Sequence, residues 1–299
     1  MKLELNNIEK AFGEKRVLTG VSFVAEGGKA FGLLGRNGAG KTTSIRILMN
    51  VFGADRGEVL LDGKPIDYEK IGIGYLPEER GLYPKKRVID QLTYFAELKG
   101  MGHKEAIVSV DYWLSRLGMT EYRGKRLDTL SKGNQQKIQL VTALAHDPEI
   151  VILDEPFSGL DPVNAMLLKD VVREQIAKGK IVLFSSHQMS YIEEFCDSIA
   201  IIHKGRVVLH GDLYDIKRSY ARDKLVVTSP SADRIRADFG SSATALKDGA
   251  VLIRLNTPEE KQAVMRRLVE DYEVDGVKVF EPSLNDIFVE YASEEGEEK

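Results

Sequence analysis

The chain has 299 residues, 43% hydrophobic and 29% charged, and a formal net charge of −4. That length holds one large domain and a small one, the composition is that of a globular protein, and no basic field makes nucleic acid a main partner. The single cysteine, Cys196, excludes an internal disulfide or a cysteine metal cluster and reads as a small buried packing residue.

Met1-Lys2-Leu3-Glu4-Leu5 alternates like a strand and lacks the basic-then-apolar pattern of a signal peptide. Strands are predicted at Lys2–Glu9, Val17–Ala25 and Lys29–Leu34, separated by turns at Phe12-Gly13 and Gly27-Gly28. A helix is expected from Gly40 to about Asn50, then a strand at Gly57–Leu61 with a hairpin turn at Asp62-Gly63, and a short strand at Ile71–Leu76. From Val88 to about Leu144 apolar residues fall at helical spacing, among them Leu92, Phe95, Val110, Trp113 and Leu117. This predicts a helical insertion, at about 85–148, inside an α/β domain. Strands return at Ile150–Leu153, Ile181–Ser185 and Ser198–His203, with helices at Val163–Lys178 and Met189–Phe195, a pattern that predicts a mostly parallel, covered sheet. None of the apolar runs approaches the length of about 20 residues that spans a bilayer, so any membrane spans are expected in another chain. The texture changes near Tyr220. A strand at Leu225–Thr228, helices near Ser231–Phe239 and Thr257–Asp271, strands at Ala250–Leu255 and Val274–Phe280, and a helix from Ser283 predict a small α+β domain at 221–299. Glu294–Lys299 reads as a solvated acidic end.

Gly35-Arg36-Asn37-Gly38-Ala39-Gly40-Lys41-Thr42 fits the pattern G-x-x-x-x-G-K-[ST], with an apolar strand before it and a helical pattern after it. Glycines let the backbone turn its N–H groups onto phosphate oxygens, and the helix N-terminus adds partial positive charge. Lys41 is expected at the β- and γ-phosphates, and the Thr42 hydroxyl on Mg²⁺. The complement is Ile150-Val151-Ile152-Leu153-Asp154-Glu155, a buried strand ending in two acids. Asp154 is expected to hold Mg²⁺, and Glu155 is the natural general base for an attacking water.

Thr129-Leu130-Ser131-Lys132-Gly133-Asn134-Gln135-Gln136-Lys137 precedes that acidic strand, Ser158-Gly159-Leu160-Asp161-Pro162 follows it, and Ser185-Ser186-His187 ends a later strand. With the two motifs above, this ordered set resembles the ATP-binding subunits of ABC transporters over at least residues 1–220. The resemblance implies a P-loop NTPase core of the ABC type with an antiparallel β subdomain and the helical insertion. It implies that Phe12 stacks on adenine, and that Gly35, Asn37, Gly38, Ala39, Gly40, Lys41, Thr42 and Thr43 hold the phosphates of ATP. Thr42, Asp154 and Glu78 would ligate Mg²⁺, and His187 would contact the γ-phosphate and act with Glu155 in catalysis. Ser131 and Gly133 would act on the nucleotide of an opposing subunit, with Asp161 at the same seam. Two departures stand out: Lys132 and Asn134 replace the usual glycine and glutamine of the signature, and Glu78 stands where a glutamine is usual.

Tyr75-Leu76-Pro77-Glu78 and Phe280-Glu281-Pro282-Ser283-Leu284-Asn285-Asp286-Ile287-Phe288 resemble the exporter branch of the sodium-efflux type. The implied partners are a separately encoded membrane permease, docked near Tyr83–Arg87, and a second ATP-binding subunit, identical or closely related. The implied place is the cytoplasmic face of the membrane, and no nucleic acid is expected. The alternative is an ATPase of the same class serving a non-transport complex. Long heptad arms, two sites in one chain, or zinc cysteines would mark its known types, and this sequence has none of them.

Overall fold

An antiparallel pair opens the chain: β1 (Lys2–Phe12) and β2 (Lys15–Glu26), register Phe12 to Lys15 at the turn. The computed structural model describes residues 1–293 apart from 80, 158, 159, 187, 221 and 222, and the side chains of 258, 292 and 293 are likewise left out of the description. Residues divide into two compact units, Met1–Leu213 with the chain from Glu290 on, and Tyr214–Val289.

In the first unit the elements continue with β3 (Ala30–Leu34), α1 (Lys41–Leu48), β4 (Arg56–Leu61), β5 (Lys64–Pro65) and β6 (Ile73–Leu76). The insertion follows as α2 (Val88–Leu98), α3 (His103–Arg116) and α4 (Lys132–Leu144). Then come β7 (Ile150–Asp154), α5 (Pro162–Ala177), β8 (Ile181–Ser185), α6 (Met189–Phe195), β9 (Ser198–His203) and β10 (Arg206–Asp212). Among the described residues they form two sheets: an antiparallel one ordered β2-β1-β4-β5 and a six-stranded one ordered β10-β9-β3-β8-β7-β6. The latter is parallel except for β10. Strands β3, β7 and β8 are buried at every residue, which is why they read as unbroken apolar runs. Leu3, Leu5 and Val21 of the antiparallel sheet, Ile45 and Leu48 of α1, and Leu33, Ile152 and Leu183 of the six-stranded sheet share one core.

Local chemistry starts the helices. Ser131 caps α4, its hydroxyl accepting from Asn134 N at 3.3 Å. Asp161 caps α5, accepting from Val163 N and Asn164 N at 3.0 Å, with Pro162 at the first helical position. The insertion is tied back to the core where Arg116 Nε of α3 donates to Glu174 Oε1 of α5 at 3.0 Å.

The second unit begins within α7 (Leu213–Ser219), continues with β11 (Lys224–Thr228), α8 (Ala232–Phe239), β12 (Ala243–Ala245), β13 (Val251–Arg254), α9 (Lys261–Asp271) and β14 (Gly276–Val279), and ends within α10 (Leu284–Ser293). Its sheet is antiparallel, ordered β12-β13-β11-β14. Leu225, Val227, Ile235, Val251, Ile253 and Leu268 form a core of their own. A reciprocal capping box starts α10: Ser283 Oγ accepts from Asp286 N at 3.2 Å and Asp286 Oδ2 from Ser283 N at 2.9 Å. Strands β10 and β12 and helix α7 have no counterpart in the sequence reading, and the helix expected from Thr257 starts as a 3₁₀ turn at Pro258–Glu260. Among the described residues no helix is long and apolar enough to cross a membrane.

Helix α4 rests on β6 so closely that a Cβ on Gly74 would overlap the Ala143 carbonyl. Overpacking of this kind costs about 1–3 kcal/mol. Gly74→Ala is therefore expected to lower the melting temperature by roughly 2–10 °C, read by differential scanning calorimetry. An unchanged melting temperature would mean that α4 is not seated on β6 as described.

Candidate functional site: a phosphate loop at the sheet edge

The parallel register decides which loops meet. Leu33 of β3 lies opposite Ser185 of β8, Ser185 opposite Asp154 of β7, and Leu153 of β7 opposite Leu76 of β6. The segment from Gly35 to Gly40, Ser186, the pair Asp154-Glu155, and Pro77-Glu78 therefore leave the same edge side by side. That carboxyl edge is where open α/β sheets bind ligands.

Gly35 and Ala39 are buried, whereas Asn37 and Gly38 are exposed. Gly40 takes φ 115° as the cap of α1, so the first helical N–H groups of Lys41, Thr42 and Thr43 point out of the helix at the loop's mouth. Thr42 is exposed and Thr43 half-buried. Lys41 Nζ folds back to donate to Gly35 O at 2.7 Å. Burial pulls this ammonium below the ordinary lysine value, against the charges of Glu155, Asp154 and Glu78, which favour it. Burial lifts the Asp154 carboxyl above the usual range, and the charges of Glu78 and Glu155 add to that. Tyr75 O–H donates to Asp154 Oδ2 at 3.4 Å. Among the described residues no group of three or more His, Cys, Asp or Glu is arranged to hold a metal by itself.

Glu155 is 6% exposed and takes φ 48°, the left-handed region. Its N–H donates to Ser185 O at 2.8 Å, and its Oε2 accepts from Ser186 Oγ at 2.9 Å. Ser186 was missed in the sequence reading as anything but part of a motif. His187 lies outside the described residues, as do Ser158 and Gly159.

The remaining predicted residues sit elsewhere in the unit. Phe12, 50% exposed, ends β1 with its ring edge-on to Phe52 at 5.5 Å. Lys10 Nζ stands 5.7 Å from the Phe12 ring and 5.6 Å from that of Phe52. Asp55 holds this corner, accepting from Lys10 Nζ and Ala11 N at 2.7 Å each. Phe52 and Asp55 carried no motif by which sequence reasoning finds them. Ser131, exposed, and Gly133, half-buried, lie at the start of α4, and exposed Asp161 starts α5. Both side chains bond their own helices, and the charge of Asp161 acts on Lys137, not on Lys41. Gln136 Nε2 links α4 to the loop after Glu155, donating to Pro156 O at 2.7 Å.

Comparison with known proteins converges on one family. Residues 18–158 match the ABC transporter family, and residues 211–292 match the C-terminal domain described as ATP-binding protein DrrA1-3-like. The chain is 41% identical over 290 residues to YhaQ of Bacillus subtilis (strain 168), an uncharacterized ABC transporter ATP-binding protein, covering 96% of this chain and 97% of that one. This chain belongs to the ABC transporter ATP-binding proteins. The Nod factor export ATP-binding protein I of Burkholderia lata is 30% identical over 271 residues, covering 88% of this chain and 89% of that one. A solved ATP-binding subunit of an ABC transporter superposes with a TM-score of 0.67 at 31% identity, over 73% of this chain and 93% of that one. The fold is thus that of an ABC ATPase, and the protein is an ATP-binding, ATP-hydrolysing transporter subunit rather than an ATPase of a non-transport complex. ABC subunits of this kind pair with membrane permease components.

In this ABC ATPase a Cβ on Gly40 would stand 2.5 Å from Leu18 Cδ2, on a backbone with φ 115°. A side chain there costs on the order of 1–3 kcal/mol, so Gly40→Ala is expected to weaken ATP binding about tenfold or more. Titration with a fluorescent ATP analogue checks it, and wild-type affinity would show that the loop geometry does not govern binding.

Proposed function

We propose that the subunit drives export through a membrane permease, by closing in pairs around ATP and opening after hydrolysis at Glu155. The observation that carries this is the row of loops at the sheet edge, where one ammonium, Lys41, shares its surroundings with the carboxylates of Glu155, Asp154 and Glu78. On this reading Gly35, Asn37, Gly38, Ala39, Gly40, Lys41, Thr42 and Thr43 bind the phosphates, and Lys41 exchanges its bond to Gly35 O for phosphate oxygens. Phe12 offers a half-exposed ring to adenine. Glu155 takes a proton from water, the water oxygen attacks the γ-phosphorus, and the bond to the β-phosphate oxygen breaks to leave ADP. His187 is assigned to the γ-phosphate beside it.

A hydroxyl and carboxylates are the hard oxygen donors that suit Mg²⁺. Three carboxylates against one lysine, with a triphosphate added, also leave an excess of negative charge. Thr42, Asp154 and Glu78 would hold the ion, which supplies charge neutralisation on the phosphate oxygens when bound. The paired arrangement is supported by the exposure of Ser131 and Asp161 and by the N-terminus of α4, whose partial positive charge suits a partner's γ-phosphate. Closure then depends on contacts that exist only with ATP, as any ligand-driven switch requires. Permease docking is supported by an aromatic surface on the insertion: Tyr83 stacks on Phe95 at 6.2 Å with exposed Tyr94 and Leu98 nearby in sequence. Residues 1–220 act as the ATP-binding domain and 221–299 as an accessory domain. The outward direction rests on the resemblance to the exporter branch and on the likeness to a Nod factor export protein.

Glu155→Gln is expected to bind ATP with near wild-type affinity and to hydrolyse it about 100-fold more slowly or worse. In ATP it is expected to elute as a dimer on size exclusion, whereas EDTA stops turnover in the wild type. Wild-type hydrolysis by Glu155→Gln would remove the catalytic assignment. Direction is read in proteoliposomes holding the subunit and its permease with the ATP site outward. Na⁺ is expected to stimulate hydrolysis from the ATP side, in line with the resemblance to the sodium-efflux type, and stimulation from the lumen alone would mark an importer.

A further inference from the structure

Ser186 stands between the two segments that have to cooperate in hydrolysis. Its hydroxyl donates to Glu155 Oε2 at 2.9 Å and accepts from Gln188 N at 3.0 Å. A backbone N–H can only donate, so it occupies the acceptor side of Oγ and leaves the hydroxyl proton for the carboxylate. Ser186 is 3% exposed and Glu155 6%, which keeps water from replacing either bond readily. The arrangement follows from the ladder. Asp154 and Ser185 are the last paired residues of β7 and β8, so Glu155 and Ser186 occupy the next rung. There the left-handed turn at Glu155, with its N–H on Ser185 O at 2.8 Å, presents the side chain to Ser186.

The same two segments are clamped a little further along. Phe157, two residues after Glu155, stacks on Tyr191 of α6 at 4.3 Å and on Phe195 at 5.6 Å, and lies parallel to Phe184 of β8 at 6.2 Å. Lys169 Nζ stands 5.4 Å from both the Tyr191 and Phe195 rings. Among the described residues the segment after β7 is thus joined to β8 and α6 by an aromatic stack, behind the hydroxyl that Ser186 places on the carboxylate.

We infer that Ser186 is a positioning residue for the reaction: its hydroxyl orients the Glu155 carboxylate and ties that orientation to the backbone N–H of Gln188. This rests on the reading of Glu155 as general base. A glutamate has several rotatable bonds, and a base misplaced by about 1 Å loses on the order of 100-fold in rate. Ser186 touches neither the water nor the phosphates on this account. It acts through Glu155 and leaves ATP binding alone.

The test is a cycle of Ser186→Ala and Glu155→Gln, with Ser186→Thr as the hydroxyl-keeping control. Single-turnover hydrolysis and the affinity for a fluorescent ATP analogue are measured for each protein. Ser186→Ala is expected to lower the hydrolytic rate about tenfold to 100-fold with the affinity for ATP unchanged, and Ser186→Thr to recover most of the rate. In the Glu155→Gln background Ser186→Ala is expected to remove nothing further, because no base is left to orient. A wild-type rate for Ser186→Ala overturns the inference, and so does an equal loss in both backgrounds. Should Ser186→Thr disturb the buried site, the cycle alone still decides. Failure of the parent reading is separable: it shows as wild-type hydrolysis by Glu155→Gln itself, whereas an inactive Glu155→Gln with an active Ser186→Ala sinks only the role of Ser186.

Discussion

The parallel ladder running β3, β8, β7, β6 is the constraint on which the rest of the first unit depends. Gly40, Glu78, Glu155 and Ser186 are far apart in sequence, and nothing local brings them together. The ladder does so because β3, β7 and β8 are buried at every position and have one way to bury both faces. Register then follows from the core: Ile152 opposite Leu183, Leu33 opposite Ser185, Asp154 opposite Ser185. A hydrophobic requirement in the sheet becomes a geometric one at its edge, where the apolar runs stop and the polar loops begin.

Burial is distributed unevenly among the polar residues at that edge. Asp154, Glu155 and Ser186 are buried, and each has a hydrogen-bond partner within the chain. Ser131, Lys132, Asp161 and Thr42 are exposed. Buried polar groups have to be satisfied by their own fold, while exposed ones keep water until something better arrives. Ser131 and Asp161 use that freedom to cap α4 and α5, roles that need no ligand. The proposed shared site thus asks one subunit to supply a completed half and another to offer helix ends that are stable before they meet it.

Sequence legibility tracked burial and motif spacing. Strands β8 and β9 and helix α6 begin and end at the residues predicted, because apolar runs with sharp polar borders leave little choice. Strand β10, Arg206–Asp212, escaped notice because it is a half-exposed edge strand without a clean alternation. Strand β12 is three residues long, too short for any period to show. The phosphate loop and the two acids were legible since their chemistry needs fixed residue types at fixed spacing. Phe52 and Asp55 beside Phe12 were not, because their part depends on the fold carrying the segment after α1 back to the end of β1. Ser186 was hidden for a similar reason: its hydrogen bond exists only through the strand register and the turn at Glu155.

That turn sets a problem of its own. Glu155 has to leave β7 in the left-handed region, at φ 48°, which in a residue with a side chain costs on the order of 1 kcal/mol or more. Glycine would make the turn without that cost, but it would bring no carboxylate. The position demands a backbone suited to one residue and a side chain belonging to another, so the strain has to be offset locally. Three contacts do this: the Glu155 N–H on Ser185 O, the Ser186 hydroxyl on Oε2, and the burial of Phe157 against Tyr191, Phe195 and Phe184. All three come from β8 and the segment after it. Among the described residues these contacts bind the conformation of Glu155 to the neighbouring strand and α6, and a shift of that neighbour would weaken the hold on the turn and on the carboxylate together.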